Sequence, residues 1–146
     1  MVLNPKRRIL LLLCLACCLA AAGGWAADEL SAAEAYAGAK AGKFRLIDIR
    51  TPQEWRQTGI APGAAQADFY RGQDAWVQEV LQLMGGDKTA PIALICRTGN
   101  RTTQAQRILQ AQGFTQVFNV KEGMAGSSAG SGWLKQGLPT EACLKC

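Results

Sequence analysis

Short apolar segments alternate with helix-like segments along the chain, and this alternation constrains the fold more than any other feature. Residues 91–95 are apolar throughout, as in a central strand of a parallel sheet that is buried on both faces. Residues 44–49 and 117–120 are further, mostly apolar runs that indicate strands. Because strands that alternate with helices form βαβ units, the sequence predicts an α/β fold with a parallel sheet flanked by helices on both faces.

Capping residues mark where helices begin. Ser31 followed by Glu34 is a capping-box sequence, and Thr51 followed by Pro52 supplies an N-cap and a proline at the first helical position. The segments 74–84 and 102–112 carry apolar residues at helical spacing, and a glycine follows each of them. Helices are therefore predicted over residues 31–41, 51–57, 74–84 and 102–112, and a flexible loop over residues 126–132.

The first 27 residues have the pattern of a secretory signal peptide. Three basic residues at positions 6–8 precede an uncharged apolar run over residues 9–22, and small residues dominate up to Ala27. The apolar run has 14 residues, whereas a membrane-spanning helix needs about 20. We therefore predict a signal peptide over residues 1–27 and a periplasmic or secreted mature protein.

Export would leave one domain, predicted over residues 28–140, and a short tail over residues 141–146. Membrane contact is expected only through the alternatives of an uncleaved N-terminus or lipidation at Cys17 or Cys18. Without the signal peptide, the 16 basic residues fall to 13 against 11 acidic ones, a formal charge of +2. That balance is too weak for a nucleic-acid surface, and no nucleic-acid partner is predicted.

The chain contains no histidine. This excludes the Ser-His-Asp triad, the Cys-His pair of thiol proteases and His-ligated zinc enzymes. Chemistry must then rely on cysteine, the carboxylates, lysine, arginine, tyrosine or the hydroxyls. We predict no metal site and no cofactor; a cysteine that needs no general base fits this restriction.

One loop has the composition that such a cysteine requires. It follows the apolar run 91–95, precedes a predicted helix and consists of Cys96, Arg97, Thr98, Gly99, Asn100 and Arg101. A loop there can turn its N–H groups inward as an anion-binding nest, and the helix N-terminus adds partial positive charge. Gly99 and Asn100 tolerate the positive φ that such a turn demands. We expect the two arginines to favour the thiolate of Cys96, with Arg101 contributing more.

Four motifs in order resemble the single-domain rhodanese family over residues 30–139. The first is a strand ending in Asp48-Ile49-Arg50, followed by Glu54-Trp55. The others are residues 59–64 (Gly-Ile-Ala-Pro-Gly-Ala), the loop 96–101, and residues 119–124 (Asn-Val-Lys-Glu-Gly-Met). The chain departs from the family at Ile60, where histidine is usual, and in the glycine-rich segment 126–132.

The resemblance implies a thiosulfate sulfurtransferase of rhodanese type. Its donor would be a small sulfur anion such as thiosulfate, its intermediate a Cys96 persulfide, and its acceptor cyanide, a thiol or a protein thiol. Asp48 and Arg50 would be framework residues that pair near the loop; the alternative is an ion pair at the surface.

Other functions remain open at this point. A non-enzymatic persulfide carrier or interaction domain would keep the same cysteine. A cysteine phosphatase or arsenate reductase of the same fold usually has five residues between cysteine and arginine, whereas four separate Cys96 from Arg101. The tail carries Cys143 and Cys146, which we predict to form a local disulfide or a pair that resolves the persulfide.

Overall fold

The computed structural model of the protein describes residues 28–146. Five strands within this range form one parallel sheet. The strands are β1 (Glu29–Leu30), β2 (Arg45–Asp48), β3 (Ala65–Gln66), β4 (Ile92–Ile95) and β5 (Val117–Val120), in the order β1-β5-β4-β2-β3. The helices are α1 (Ala32–Lys40), α2 (Pro52–Thr58), α3 (Gln73–Leu83), α4 (Asn100–Ala111) and α5 (Gly132–Lys135), with a 3₁₀ turn at Phe69–Arg71. The α/β fold predicted from the sequence is confirmed.

Helices cover both faces of the sheet because successive strand residues point to opposite sides. Leu94 packs in one cluster with Trp76 of α3 and Leu109 of α4. Ile95, the next residue, packs in a second cluster with Trp133 of α5. Strand β4 is buried at all four positions, as expected of a central strand with helices on either side.

Both capping boxes are formed. The Ser31 and Thr51 hydroxyls accept hydrogen bonds from the N–H groups of Glu34 and Glu54, and the two carboxylates accept from the N–H groups of Ser31 and Thr51. Pro52 occupies the first position of α2. The predicted start of α4 at residue 102 was wrong by two residues, because the helix begins directly after the loop glycine.

Four short elements were absent from the sequence-based prediction: β1, β3, the 3₁₀ turn and α5. The strands have two residues each, and α5 has four, of which only Gly132 lies in the segment expected to be a loop. None of these elements is long enough to produce a recognisable hydrophobic period.

The predicted signal peptide lies outside the described residues. Among residues 28–146, no helix combines the length and the apolar character needed to cross a membrane.

Candidate active site

Cys96 lies at the carboxyl end of the central strand β4, where parallel α/β sheets form their sites. Its side chain is only 1% exposed. The Sγ atom accepts a hydrogen bond from the Gly99 N–H at 3.2 Å and lies 3.6 Å from the Thr102 hydroxyl. Because the Thr102 hydroxyl also reaches the Gly99 carbonyl at 2.9 Å, the thiol is held by the loop that it begins.

The loop after Cys96 presents unpaired backbone donors. In the described part of the chain, no acceptor receives a hydrogen bond from the N–H groups of Arg97, Thr98, Asn100, Arg101 and Thr102. Some of these are the first N–H groups of α4, which have no partner within the helix. Such donors at a helix N-terminus suit an anion, and they are close in sequence to the sulfur.

Two glycines lock this loop against the turn that follows β5. Gly99 has φ +84°, and a Cβ there would overlap the backbone of Lys121. Gly123 has φ +66°, and a Cβ there would lie 2.5 Å from the Arg97 carbonyl oxygen. The N–H of Met124 donates to the Cys96 carbonyl at 2.9 Å. Close backbone contact of this kind requires glycine on both sides.

The positive φ expected at Gly99 is present, but the same expectation was wrong for Asn100. Asn100 is the first residue of α4 and is therefore helical, with an exposed side chain. Gly99, directly before α4, is the glycine that takes the left-handed conformation between β4 and α4.

The two loop arginines have different surroundings. Arg101 forms a bidentate ion pair with Glu54 of α2, with N–O distances of 2.7 and 2.5 Å. Its guanidinium also lies 5.6 Å from the ring centre of Tyr70. Arg97 is exposed, and no carboxylate among residues 28–146 pairs with it. Arg97 thus keeps an unbalanced positive charge, whereas Glu54 offsets that of Arg101.

The ion pair changes the titration of both partners. Burial raises the pKa of Glu54, but the hydrogen bonds from Arg101 and from the Thr51 N–H outweigh burial and lower that pKa to about 2. The hydrogen bond to Glu54 in turn raises the pKa of Arg101 above its ordinary value. Glu54 is therefore ionised at every pH at which the protein would work.

Asp48 and Arg50 form a buried ion pair, not a surface one. Their side chains are 0% and 2% exposed, and the guanidinium donates to the Asp48 carboxylate at 2.6–3.0 Å. Arg50 also donates to the Thr58 hydroxyl and the Gly59 carbonyl. The pair therefore joins the end of β2 to the end of α2. Strand β2 is the neighbour of β4, the strand that leads into the loop of residues 96–101.

Cys143 and Cys146 form a disulfide that is attached to the domain. The Gln66 side-chain amide donates to the two sulfurs at 2.8 and 3.2 Å. Ile60 and Glu141 are joined by two backbone hydrogen bonds of 2.9 Å each. The tail is thus held along the segment that leads into β3.

Several residues that shape the site were not predicted from the sequence to have a role in it. Thr102 contacts the sulfur, Gly123 supports the loop, Tyr70 covers Arg101, and Glu54 acts as a counter-ion as well as a cap. Glu54 and Arg101 are 47 residues apart, so no local pattern links them. Thr102 lies one position after the loop motif and Gly123 lies within the 119–124 motif, so local sequence could have indicated these two.

The protein is a parallel α/β protein whose central strand is joined to a helix by a loop. This loop begins with a buried cysteine and is rich in N–H donors. The chain belongs to the rhodanese-like domain family, whose model matches residues 31–129. Relatives include uncharacterized proteins of Rickettsia conorii and Rickettsia montanensis. Each is 28% identical over 98 residues, which cover 64% of this chain and 80% of the relative.

Solved structures share the fold. The rhodanese-like domain from an Anabaena sp. protein superposes with a TM-score of 0.64 at 21% identity, covering 82% of this chain and 83% of the other. The polysulfide-sulfur transferase homodimer of Wolinella succinogenes gives a TM-score of 0.59 at 27% identity, covering 80% of each chain. A Rhodopseudomonas palustris protein described as a possible tyrosine phosphatase also gives 0.59, at 22% identity, covering 79% of this chain and 85% of the other.

Proposed function

We propose that this protein is a sulfurtransferase that moves sulfane sulfur from a small anionic donor, such as thiosulfate, to a thiophilic acceptor through a persulfide on Cys96. The observation that carries the proposal is the environment of the Cys96 sulfur. The sulfur accepts a backbone hydrogen bond inside a loop of unpaired N–H donors. Those donors suit both an anionic substrate and a terminal persulfide anion.

The first half-reaction needs no proton shuttle. The Cys96 thiolate attacks the outer sulfur of thiosulfate, an S–S bond forms, and the S–S bond of thiosulfate breaks. Sulfite leaves with the bonding electron pair as a stable anion. The absence of histidine therefore removes nothing from the mechanism.

In the second half-reaction, the acceptor attacks the outer sulfur of the persulfide and Cys96 leaves as a thiolate. Cyanide would give thiocyanate, and a thiol would give a new persulfide. The loop donors favour the thiolate as a leaving group. The Wolinella succinogenes protein, a polysulfide-sulfur transferase by description, supports sulfane-sulfur chemistry at this level of similarity.

Phosphoryl transfer is not favoured. Arg101, the loop-closing arginine, is engaged by Glu54 on two atoms, so it is not free to hold a phosphoryl group. With a pKa of about 2, Glu54 does not supply a proton to a leaving group near neutral pH. The likeness to the protein from Rhodopseudomonas palustris is one of fold alone.

We further propose that the protein acts outside the cytoplasm. The N-terminal signal pattern supports this proposal.

Intact mass spectrometry tests the proposed function. After incubation with thiosulfate and removal of the excess, the protein should gain one sulfur atom, about 32 Da. The gain should be absent from Cys96→Ser and present in Cys143→Ser/Cys146→Ser. Sulfur loading that survives in Cys96→Ser would show that another residue carries the sulfur. Turnover of thiosulfate with cyanide separates an enzyme from a carrier, which would load once and then stop.

A further inference from the structure

The C-terminal disulfide lies at the same edge of the sheet as Cys96. Gln66, which donates to both disulfide sulfurs, is the last residue of β3. Gln66 pairs with Asp48 on β2, and Asp48 pairs with Ile95 on β4, directly before Cys96. Neighbouring strands are about 4.8 Å apart, so roughly 10 Å separates the backbone of Gln66 from the end of β4.

The end of the tail can leave its present position once its outer contacts open. Its last firm attachment upstream is the Pro139 carbonyl, which accepts from the Trp133 indole N–H at 2.9 Å. Four residues from there to Cys143 span up to about 13 Å when extended. The contacts that hold the rest are the backbone pairing of Glu141 and a few side-chain hydrogen bonds. Local opening of an exposed terminus costs little free energy.

Chemistry makes the pair suited to a persulfide. Two cysteines separated by two residues close a small ring, and one thiol can displace sulfur that the other has accepted.

We propose that the reduced Cys143–Cys146 pair is the first acceptor of the Cys96 sulfur and releases it as sulfide. The inference rests on the proposed function and names its acceptor. One tail thiolate attacks the outer sulfur of the Cys96 persulfide, which frees the Cys96 thiolate and leaves a persulfide on the tail. The second tail thiolate attacks the inner sulfur of that persulfide, so a disulfide forms and hydrogen sulfide leaves.

The step is balanced. The dithiol loses two electrons, the sulfane sulfur gains them, and the two thiol protons leave with the products. The disulfide seen in the structure is then the product state. A dithiol reductant, acting by thiol–disulfide exchange, must restore the tail before the next cycle.

A sulfide burst tests the proposal. The protein is reduced with a phosphine, freed of reductant without oxygen and mixed with excess thiosulfate. We expect one sulfide per chain and loss of two tail thiols, after which release stops and the persulfide accumulates on Cys96. Protein with the disulfide intact should release no sulfide and accumulate the persulfide directly.

Matched variants separate this inference from the proposed function. Cys143→Ser/Cys146→Ser keeps Glu141 and its backbone pairing, so it should load sulfur on Cys96 without a burst. The burst should follow first-order kinetics with a rate independent of protein concentration, because both steps occur within one chain. A mixture of reduced Cys96→Ser with persulfidated double variant should release sulfide at least tenfold more slowly at micromolar concentration.

Two results would overturn the inference: reduced protein that retains both the persulfide and its tail thiols, or a burst rate that rises in proportion to protein concentration. If no form of the protein loads sulfur on Cys96, the proposed function fails and this inference fails with it.

Discussion

At the scale of single residues, the two loop arginines have unequal roles. Arg97 is exposed without a carboxylate partner, whereas Arg101 is paired with Glu54. Charge that is already balanced attracts a second anion weakly. We therefore expect Arg97 to contribute more to anion attraction, which reverses the order expected from the sequence alone.

Arg97→Ala should raise the KM for thiosulfate about three- to fivefold, since an exposed charge contributes up to about 1 kcal/mol. Its unfolding midpoint should not change, because the side chain has no partner among residues 28–146. Steady-state kinetics at two ionic strengths measures this. The difference from wild type should shrink at about 0.5 M salt, where charges are screened. Arg97→Lys is the control and should restore the wild-type KM; a KM that stays raised would point to guanidinium geometry.

At the scale of elements, the loop of residues 96–101 and the turn of residues 121–125 form one structural unit. The Met124 and Ala125 N–H groups donate to the Cys96 and Arg97 carbonyls at 2.9 Å each. The turn therefore fixes the direction in which the loop begins, and with it the position of the sulfur.

Gly123→Ala should destabilise the protein by about 2–4 kcal/mol and slow persulfide formation, because left-handed strain adds to overlap with the Arg97 backbone. Gly42→Ala is the matched control. Gly42 has φ +68°, close to the +66° of Gly123, but a Cβ there meets nothing within 4 Å. The free energies of unfolding of the two variants, measured in urea, separate the effect of the overlap from that of the left-handed strain. Equal losses would mean that strain alone matters and that the contact with the loop does not.

At the scale of the whole molecule, the Glu54–Arg101 pair ties α2 to α4 and should make stability depend on acid. The folded-state pKa of Glu54 is about 2, below the ordinary value of 4.5. A carboxylate with a lowered pKa stabilises the fold above its unfolded pKa, and this contribution is lost as the pH falls from about 4.5 towards 2.

Glu54→Gln should therefore lower the free energy of unfolding at neutral pH and flatten its decline between about pH 4.5 and 2. Glutamine keeps the capping function at this position. Glu34→Gln is the control, because Glu34 also caps a helix but forms no ion pair among residues 28–146. Urea unfolding across this pH range measures both. An equal effect of the two substitutions would assign the contribution to capping.

Much of the fold was predictable because its signals are local. The apolar run of β4, the capping boxes at Ser31 and Thr51 and the loop after Cys96 are each contained within a few residues. The pairings of Glu54 with Arg101 and of Ile60 with Glu141 join distant positions. Only the three-dimensional arrangement brings these together, so the balance of charge at the site and the docking of the tail could not be read from sequence.

The interlocked glycines have a consequence for protein engineering. A Cβ on Gly99 would overlap the backbone of Lys121, and a Cβ on Gly123 would overlap the backbone of Arg97, so the six-residue loop cannot be transferred alone. A designer who grafts residues 96–101 onto another parallel sheet would have to import the turn after the neighbouring strand as well. The unit that could be transferred is the pair of adjacent strand ends, and it requires a residue without a Cβ at both positions.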